Sequence, residues 1–132
     1  MHNLKKINHL PQQQQEHDIG RTKPESIELE GDAVPKNSHV SRTDAKLDGK
    51  AAKVYRRSTR FGSSQESGLY FVSSSNQQAR HKIQLNRIFG VVGDGVYDRL
   101  LAFGQAKSSS YWFSSSQTNF GDLLMYGLPI LC

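Results

Sequence analysis

The chain has 132 residues, which is enough for one domain, with an apolar fraction of 36% and a formal charge of +5 at pH 7. The single cysteine, Cys132, excludes an internal disulfide framework. The sequence also contains no long apolar run of the kind that forms a membrane span or a signal segment. We therefore expect a cytoplasmic protein without a membrane partner.

The positive charge is spread along the sequence instead of being gathered into one patch. The 17 lysines and arginines contain no run of five like charges. This distribution is typical of a solvated basic surface, so no nucleic-acid partner is expected.

Large apolar residues are sparse in the first fifty positions, and the larger aromatics begin at Tyr55. A segment this polar buries too little apolar surface to compensate for the conformational entropy that it loses on folding. It therefore needs another part of the fold to pack against. Residues 1–35 are predicted to be a polar lead-in and a surface loop. The glutamine run at 12–15 fits either coil or a short helix that begins at Pro11.

The next elements are strands and turns. Residues 39–42 are predicted to be a short extended segment. Asp48-Gly49 is a hairpin-type turn signal, and 53–56 is predicted to be the strand that follows it. The β-branched and aromatic run at 69–72 is the clearest strand, with serines closing it.

Helical spacing then predicts a helix over 77–89 that ends at Gly90. A short helical turn over 97–103, a last strand over 111–113 and a terminal helix over 120–125 complete the prediction. This order of elements favours an α+β fold with helices on one face of an antiparallel sheet.

Four ordered segments carry a family resemblance. Residues 37–42 read NSHVSR, 54–62 read VYRRSTRFG, 68–72 read GLYFV and 94–103 read DGVYDRLLAF. Together they resemble the C-terminal half of the bacterial cytosolic branch of the DyP-type (dye-decolorizing) haem peroxidases. The resemblance covers residues 19 to 124.

The resemblance implies a ferredoxin-like half-domain with a haem b pocket, here over residues 36–126, followed by an unmatched tail at 127–132. It implies peroxide reduction at the haem iron, with phenols, dyes or porphyrinogens as electron donors. In this family a second, N-terminal half packs against the first. A separate N-terminal half or a second copy of the chain is therefore an expected partner.

The resemblance also assigns roles to individual residues. His39 would be the axial ligand of the iron, and Asp98 would accept a hydrogen bond from it. Arg56 would stabilise charge on the departing peroxide oxygen, beside Ser58 as a second polar group. The walls of the haem cavity would be apolar: Leu69, Phe71, Leu100 and Phe103.

Structural alternatives stand beside these roles. A lone histidine after Asn37 and Ser38 also fits a surface loop, and Asp98 also fits a carboxylate that accepts from the free amides of a helix start. The four wall residues fit an ordinary core equally well. Trp112 fits aromatic strand packing better than an electron relay.

Three departures from the family pattern bear on activity. The distal aspartate that the family carries in its N-terminal half has no counterpart here, and Arg60 replaces a proline. Serines at 108–109 and 114–116 replace turn residues. A non-catalytic haem-binding remnant is thus an alternative to a peroxidase, and an RNA-binding ferredoxin-like module is a remote third reading.

Overall fold

A computed structural model describes residues 4–63 and 67–116. Four α-helices and four strands lie in this part of the chain, together with 3₁₀ turns at Gly31–Ala33 and Arg99–Phe103. The helices are α1 (Leu4–Asn8), α2 (Gln12–Ile19), α3 (His39–Thr43) and α4 (Gln78–Ile88). The strands are β1 (Lys46–Leu47), β2 (Lys50–Ala51), β3 (Tyr55–Gly62) and β4 (Ser67–Ser74).

The turn signal at Asp48-Gly49 does form a hairpin, but its strands are β1 and β2, and the strand predicted at 53–56 is not part of it. Both turn residues have positive φ, 51° at Asp48 and 75° at Gly49, as a type I′ turn requires. Ala45 and Ala52 flank the hairpin, are joined by a 2.8 Å backbone hydrogen bond and are both buried. Both alanines belong to the small buried apolar core of the described residues.

The second hairpin pairs β3 with β4 over their full length, antiparallel. The predicted strand at 53–56 begins at Tyr55, and the predicted strand at 69–72 is confirmed as the middle of β4. Directly opposed residues share a face, so the register fixes which side chains lie together. One face carries Arg56, Ser58, Arg60, Leu69, Phe71 and Ser73; the other carries Tyr55, Arg57, Thr59, Phe61, Tyr70 and Val72.

The helix predicted over 77–89 is confirmed as α4. Gly90 follows it with φ +70°, and a Cβ there would lie 3.1 Å from the Val96 carbonyl oxygen, which favours glycine on both counts. The buried Gln84 side chain donates a 2.5 Å hydrogen bond from Nε2 to the Ala52 carbonyl and so ties α4 to the end of the first hairpin.

The extended segment predicted at 39–42 is wrong, because these residues form the helix α3. Ser38 is fully buried and caps the helix, since its Oγ accepts a 3.3 Å hydrogen bond from the Ser41 N–H. The Ser41 hydroxyl in turn donates to the Pro35 carbonyl at 2.9 Å. These bonds stabilise a helix that the β-branched Val40 and Thr43 do not favour by propensity.

The strand predicted at 111–113 is also wrong, because residues 105–116 contain no helix or strand. Trp112 is 89% exposed, and its indole N–H donates only to the nearby Ser110 hydroxyl. The aromatic composition suits a strand, but no neighbouring strand in the described part of the chain pairs with it. The predicted helix at 120–125 lies outside the described residues.

The N-terminal helices pack against the 3₁₀ turn Arg99–Phe103. Phe103 is buried there, and Asp18 of α2 forms a 3.6 Å ion pair with Arg99. The polar lead-in therefore lies against the later part of the chain, as its composition requires. Within residues 4–63 and 67–116, no helix has the length and apolarity needed to cross a bilayer.

Candidate functional site

A histidine and a carboxylate from distant parts of the chain meet beside the first turn of α3. His39 Nδ1 lies 2.5 Å from Asp98 Oδ2. Asp98 is 1% exposed, whereas the His39 side chain is 37% exposed. Because a carboxylate only accepts, the Nδ1–H donates and Nε2 is left as the ligand-ready nitrogen.

Hydrogen bonds to the side chain and to the backbone fix the position of Asp98. Its Oδ1 accepts a 2.9 Å hydrogen bond from the Leu100 N–H and caps the 3₁₀ turn. Its own N–H donates to the Ile88 carbonyl at 2.8 Å, and the Arg99 N–H donates to the Asn37 carbonyl at 2.9 Å. Asp98 therefore acts as a helix cap and as the partner of the histidine at the same time.

His39 and Arg56 line the same cavity, whose volume is about 440 Å³. Charged side chains surround much of it, including the ion pair between Arg21 and Glu28. The remaining lining comes from α3, the first hairpin, the start of β3 and Gln84 of α4. The structure thus brings to one cavity the predicted axial ligand, His39, and the predicted charge-stabilising residue, Arg56.

The hairpin register adds three predicted residues to the Arg56 face. Ser58 is opposite Phe71, and Leu69 is opposite Arg60, on the same side of the β3–β4 hairpin as Arg56. Arg57 lies on the other face, where its Nε donates to the Tyr55 hydroxyl at 2.7 Å and its guanidinium stacks 5.2 Å from the Tyr55 ring centroid. The two neighbouring arginines therefore have different surroundings.

Leu100 and Phe103 lie elsewhere. They belong to the 3₁₀ turn that packs against α1 and α2, and neither is among the residues that line the cavity. Phe103 is part of the small apolar core. Ser58, Leu69 and Phe71 are not among the lining residues either.

A buried arginine next to the site, at the end of the segment 37–42 that carries the resemblance, was given no role in the sequence analysis. Arg42 is 3% exposed and reaches the loop before Asp98, where its Nη1 lies 2.6 Å from Asp94 Oδ2. The hydrogen bond from Arg42, helped by one from the Val96 N–H, lowers the pKa of Asp94 below its ordinary value. Sequence reasoning counted Arg42 among the dispersed surface cations, since its partners lie about fifty positions further along the chain.

The fold and the site together define a class of protein. It is an α+β domain in which a buried carboxylate holds a histidine at the wall of a cavity that arginines also line. Residues 1–119 match the family model described as Dyp-type peroxidase, C-terminal. The chain belongs to this family. The matched range begins at residue 1 and so includes the 35 residues predicted to be lead-in and loop.

Curated relatives agree with the family match. The chain is 33% identical over 116 residues to a dye-decolorizing peroxidase of Rhodococcus erythropolis and 36% identical over 121 residues to one of Mycobacterium tuberculosis. Each alignment covers 86% of this chain but 34% and 35% of the relative. The chain therefore spans about a third of the length of the curated relatives it matches.

Solved structures give the same result for the fold. A dye-decolorizing protein from V. cholerae is similar with a TM-score of 0.70 at 44% identity, covering 77% of this chain and 34% of that one. A Rhodococcus jostii DypB variant in complex with haem has a TM-score of 0.71 at 38% identity and the same coverage. The expected ferredoxin-like α+β fold is confirmed by these similarities.

Proposed function

We propose that this chain forms the haem b-binding part of a Dyp-type peroxidase, with His39 as the axial ligand of the iron. The observation that carries the proposal is the 2.5 Å contact between His39 Nδ1 and Asp98 Oδ2 at the wall of the cavity that Arg56 also lines. The haem complex of the Rhodococcus jostii relative supports the choice of cofactor.

The residues present fit the axial-ligand side of an iron porphyrin. An axial imidazole needs one ring nitrogen free and the other held by an acceptor, which fixes the ring and raises its basicity. His39 meets this requirement, because Asp98 holds Nδ1 and the partly exposed His39 is one of the residues that line the cavity. Bound haem would supply the iron at which the O–O bond of hydrogen peroxide is cleaved.

Arg56 is the proposed group for the charge that develops on the departing oxygen. Its guanidinium is permanently charged and borders the cavity, and Ser58 follows on the same face of the hairpin. Leu69 and Phe71 would form the apolar wall beside them, while Leu100 and Phe103 would support the 3₁₀ turn behind Asp98. The proposed electron donors are small phenols, dyes or porphyrinogens.

Peroxide turnover would also need a cover for the hairpin face. All eight residues of β3 are solvent-exposed, which leaves the Arg56 side open to water. The proposed partner is a separate N-terminal half or a second copy of this chain. Of the two, only an N-terminal half would also bring the distal aspartate, which the family carries on that half. The same exposure favours a second candidate function, haem binding without turnover.

Titration of the purified chain with haemin, followed by the Soret band, tests the proposal. We expect one haem per chain with histidine ligation, and loss of that spectrum in His39→Ala. His9→Ala removes an exposed histidine outside the cavity lining and serves as the control. Haemin uptake that is non-saturating, or that is the same in both variants, would reject His39 as the ligand.

Peroxide turnover separates the two candidate functions. If the chain turns over peroxide, alone or with its partner, Arg56→Leu should slow the reaction with peroxide about 10²- to 10³-fold without changing the haem stoichiometry. Arg57→Leu on the opposite face of β3 is the matched control and should have little effect. The absence of turnover in the presence of stoichiometric haem would favour the non-catalytic function.

A further inference from the structure

The side chain of Arg42 is almost completely buried, and each part of its guanidinium group has a partner. Nε donates to the Arg87 carbonyl at 2.8 Å, and the two terminal nitrogens reach Asp94 at 2.6 Å and 3.4 Å. Burial of a charge is costly even when it is paired, and such an ion pair adds little to stability compared with an apolar replacement. A role in fixing geometry accounts better for an arginine at this position.

Arg42 and Arg87 also cap each other's helices. Arg87 donates from Nε to the Arg42 carbonyl at 3.2 Å and from Nη2 to the Ser41 carbonyl at 2.8 Å. These carbonyls lie in the last turn of α3, and the Arg87 carbonyl lies in the last turn of α4, where backbone acceptors have no partner within their own helix. A five-residue helix is too short to hold its direction alone, so this exchange orients α3.

The same guanidinium connects the two segments that carry the candidate site. Arg42 lies one helical turn after His39 on α3, and Asp94 lies four residues before Asp98. Displacement of α3 relative to the loop at 94–98 would therefore change the separation between His39 and Asp98.

We propose that Arg42 is a positioning residue that holds His39 Nδ1 against Asp98 Oδ2 by clamping α3 to α4 and to the loop before Asp98. The inference deepens the proposed function, because the contact it fixes would orient the haem ligand. Arg42 does not line the cavity, so it would act through His39 and not on the substrate.

The first test needs no haem. Two-bond ¹H–¹⁵N NMR correlations from the carbon-bound ring protons of His39 report which nitrogen carries the proton. We expect a fixed Nδ1–H tautomer in the unaltered chain and a mixture of tautomers in Arg42→Lys and Arg42→Gln. Arg80→Lys is the matched control, since Arg80 also donates to a backbone carbonyl, that of Lys53, but has no bond to Asp94.

If the Arg42 variants fail to fold, Asp94→Asn provides the test instead. This substitution weakens the contact between Arg42 and the loop, and it leaves the hydrogen bonds between α3 and α4 in place. We expect a smaller change of tautomer in this variant. A folded Arg42 variant or Asp94→Asn protein with the His39 signals of the unaltered chain would overturn the inference.

A second measurement uses the haem-loaded protein. We expect the iron–imidazole stretching frequency of the ferrous form to fall in Arg42→Lys and to stay unchanged in Arg80→Lys, since a weaker bond to Asp98 leaves a less basic imidazole. If haemin does not bind through His39, the proposed function fails while the tautomer experiment still decides the role of Arg42.

Discussion

Asp98 shows at the scale of one residue how a buried carboxylate can be retained. Two hydrogen bonds, to the His39 ring and to the Leu100 N–H, compensate for the loss of water around a group that is 1% exposed. The two bonds have different consequences. The bond from the Leu100 N–H stabilises the start of the 3₁₀ turn, and the bond from His39 Nδ1 fixes the imidazole ring.

Asp98→Asn separates these two consequences. Asparagine also caps helix starts, so we expect the chain to stay folded. The His39 imidazole loses its anionic acceptor. Because loss of such a partner typically lowers metal affinity about 10- to 100-fold, we expect the affinity for haemin to fall by that factor. Haemin titration measures this change. Asp48→Asn, at a turn position that asparagine accepts, is the control, and equal haemin affinity in the two variants would contradict the role given to Asp98.

At this scale the resemblance predicted much of the candidate site. It selected His39, Asp98 and Arg56, and the structure brings His39 into contact with Asp98 and to the same cavity as Arg56. The burial of Arg42 and its contacts could not be predicted, although Arg42 ends the segment 37–42 that carries the resemblance. Its burial depends on acceptors from α4 and from the loop after it, and neither spacing nor composition encodes contacts across about fifty residues.

At the scale of elements, the sequence predicted correctly those helices and turns whose own residues determine them. The α4 helix has helical spacing and a glycine stop, and the first hairpin has its Asp48-Gly49 turn. The prediction failed for segments whose conformation depends on contacts with other elements. The helix α3 is oriented by bonds from Arg87 and from its own serine cap, whereas residues 111–113 have strand composition but no partner strand among the described residues.

Gly20 is the residue that lets α2 end against α3. Its φ is +91°, and a Cβ there would lie 2.9 Å from both Ser38 Oγ and Val40 Cβ. Gly20→Ala should therefore lower the free energy of unfolding through backbone strain of about 1–2 kcal/mol and through overpacking of about 1–3 kcal/mol. Urea denaturation measures the sum.

Gly93→Ala is the control for the strain alone. Gly93 has φ +82°, but a Cβ there would meet nothing within 4 Å. We expect only the backbone contribution in this variant. An equal loss of stability in Gly20→Ala and Gly93→Ala would mean that the contact between Gly20 and the start of α3 relaxes at no cost.

The ion pair between Arg42 and Asp94 should make the contact between α3 and the loop before Asp98 sensitive to acid. The hydrogen bond from Arg42 keeps the pKa of Asp94 below its ordinary value of 3.8 in the folded chain. A lowered folded-state pKa stabilises the fold above the unfolded pKa, and this contribution disappears as the pH falls through the folded value. The tie is therefore present at neutral pH and is lost in acid.

Urea denaturation of the unaltered chain and of Asp94→Asn over a range of acidic pH tests this prediction. The difference in unfolding free energy should be constant near neutral pH and should shrink below about pH 4. Asp94 is half-exposed, so added salt should also reduce the difference. A difference that does not change with pH would show that the carboxylate charge is not what ties the loop to Arg42.

At the scale of the whole molecule, the β3–β4 hairpin has little cover from the rest of the described residues. Both faces expose large side chains, among them Phe71 on one face and Tyr70 and Val72 on the other. An isolated two-stranded hairpin is marginally stable in water, and contiguous exposed apolar side chains favour association. The hairpin therefore needs a surface to pack against.

The two faces of the hairpin should behave differently. The face with Leu69 and Phe71 also carries Arg56 and Arg60, whose like charges oppose contact between two copies of the chain. The other face carries a single arginine, Arg57, which is already stacked on Tyr55. Self-association through this second face would leave the Arg56 face to the separate N-terminal half, the other proposed partner.

Sedimentation velocity over a concentration series tests this expectation. The unaltered chain should self-associate, and Tyr70→Thr with Val72→Thr should shift it toward the monomer because threonine keeps the strand propensity while removing apolar area. Leu69→Thr with Phe71→Thr is the matched pair on the Arg56 face and should have a smaller effect on association. The reverse order would mean that the charged face, and not the Tyr70 face, is where two copies meet.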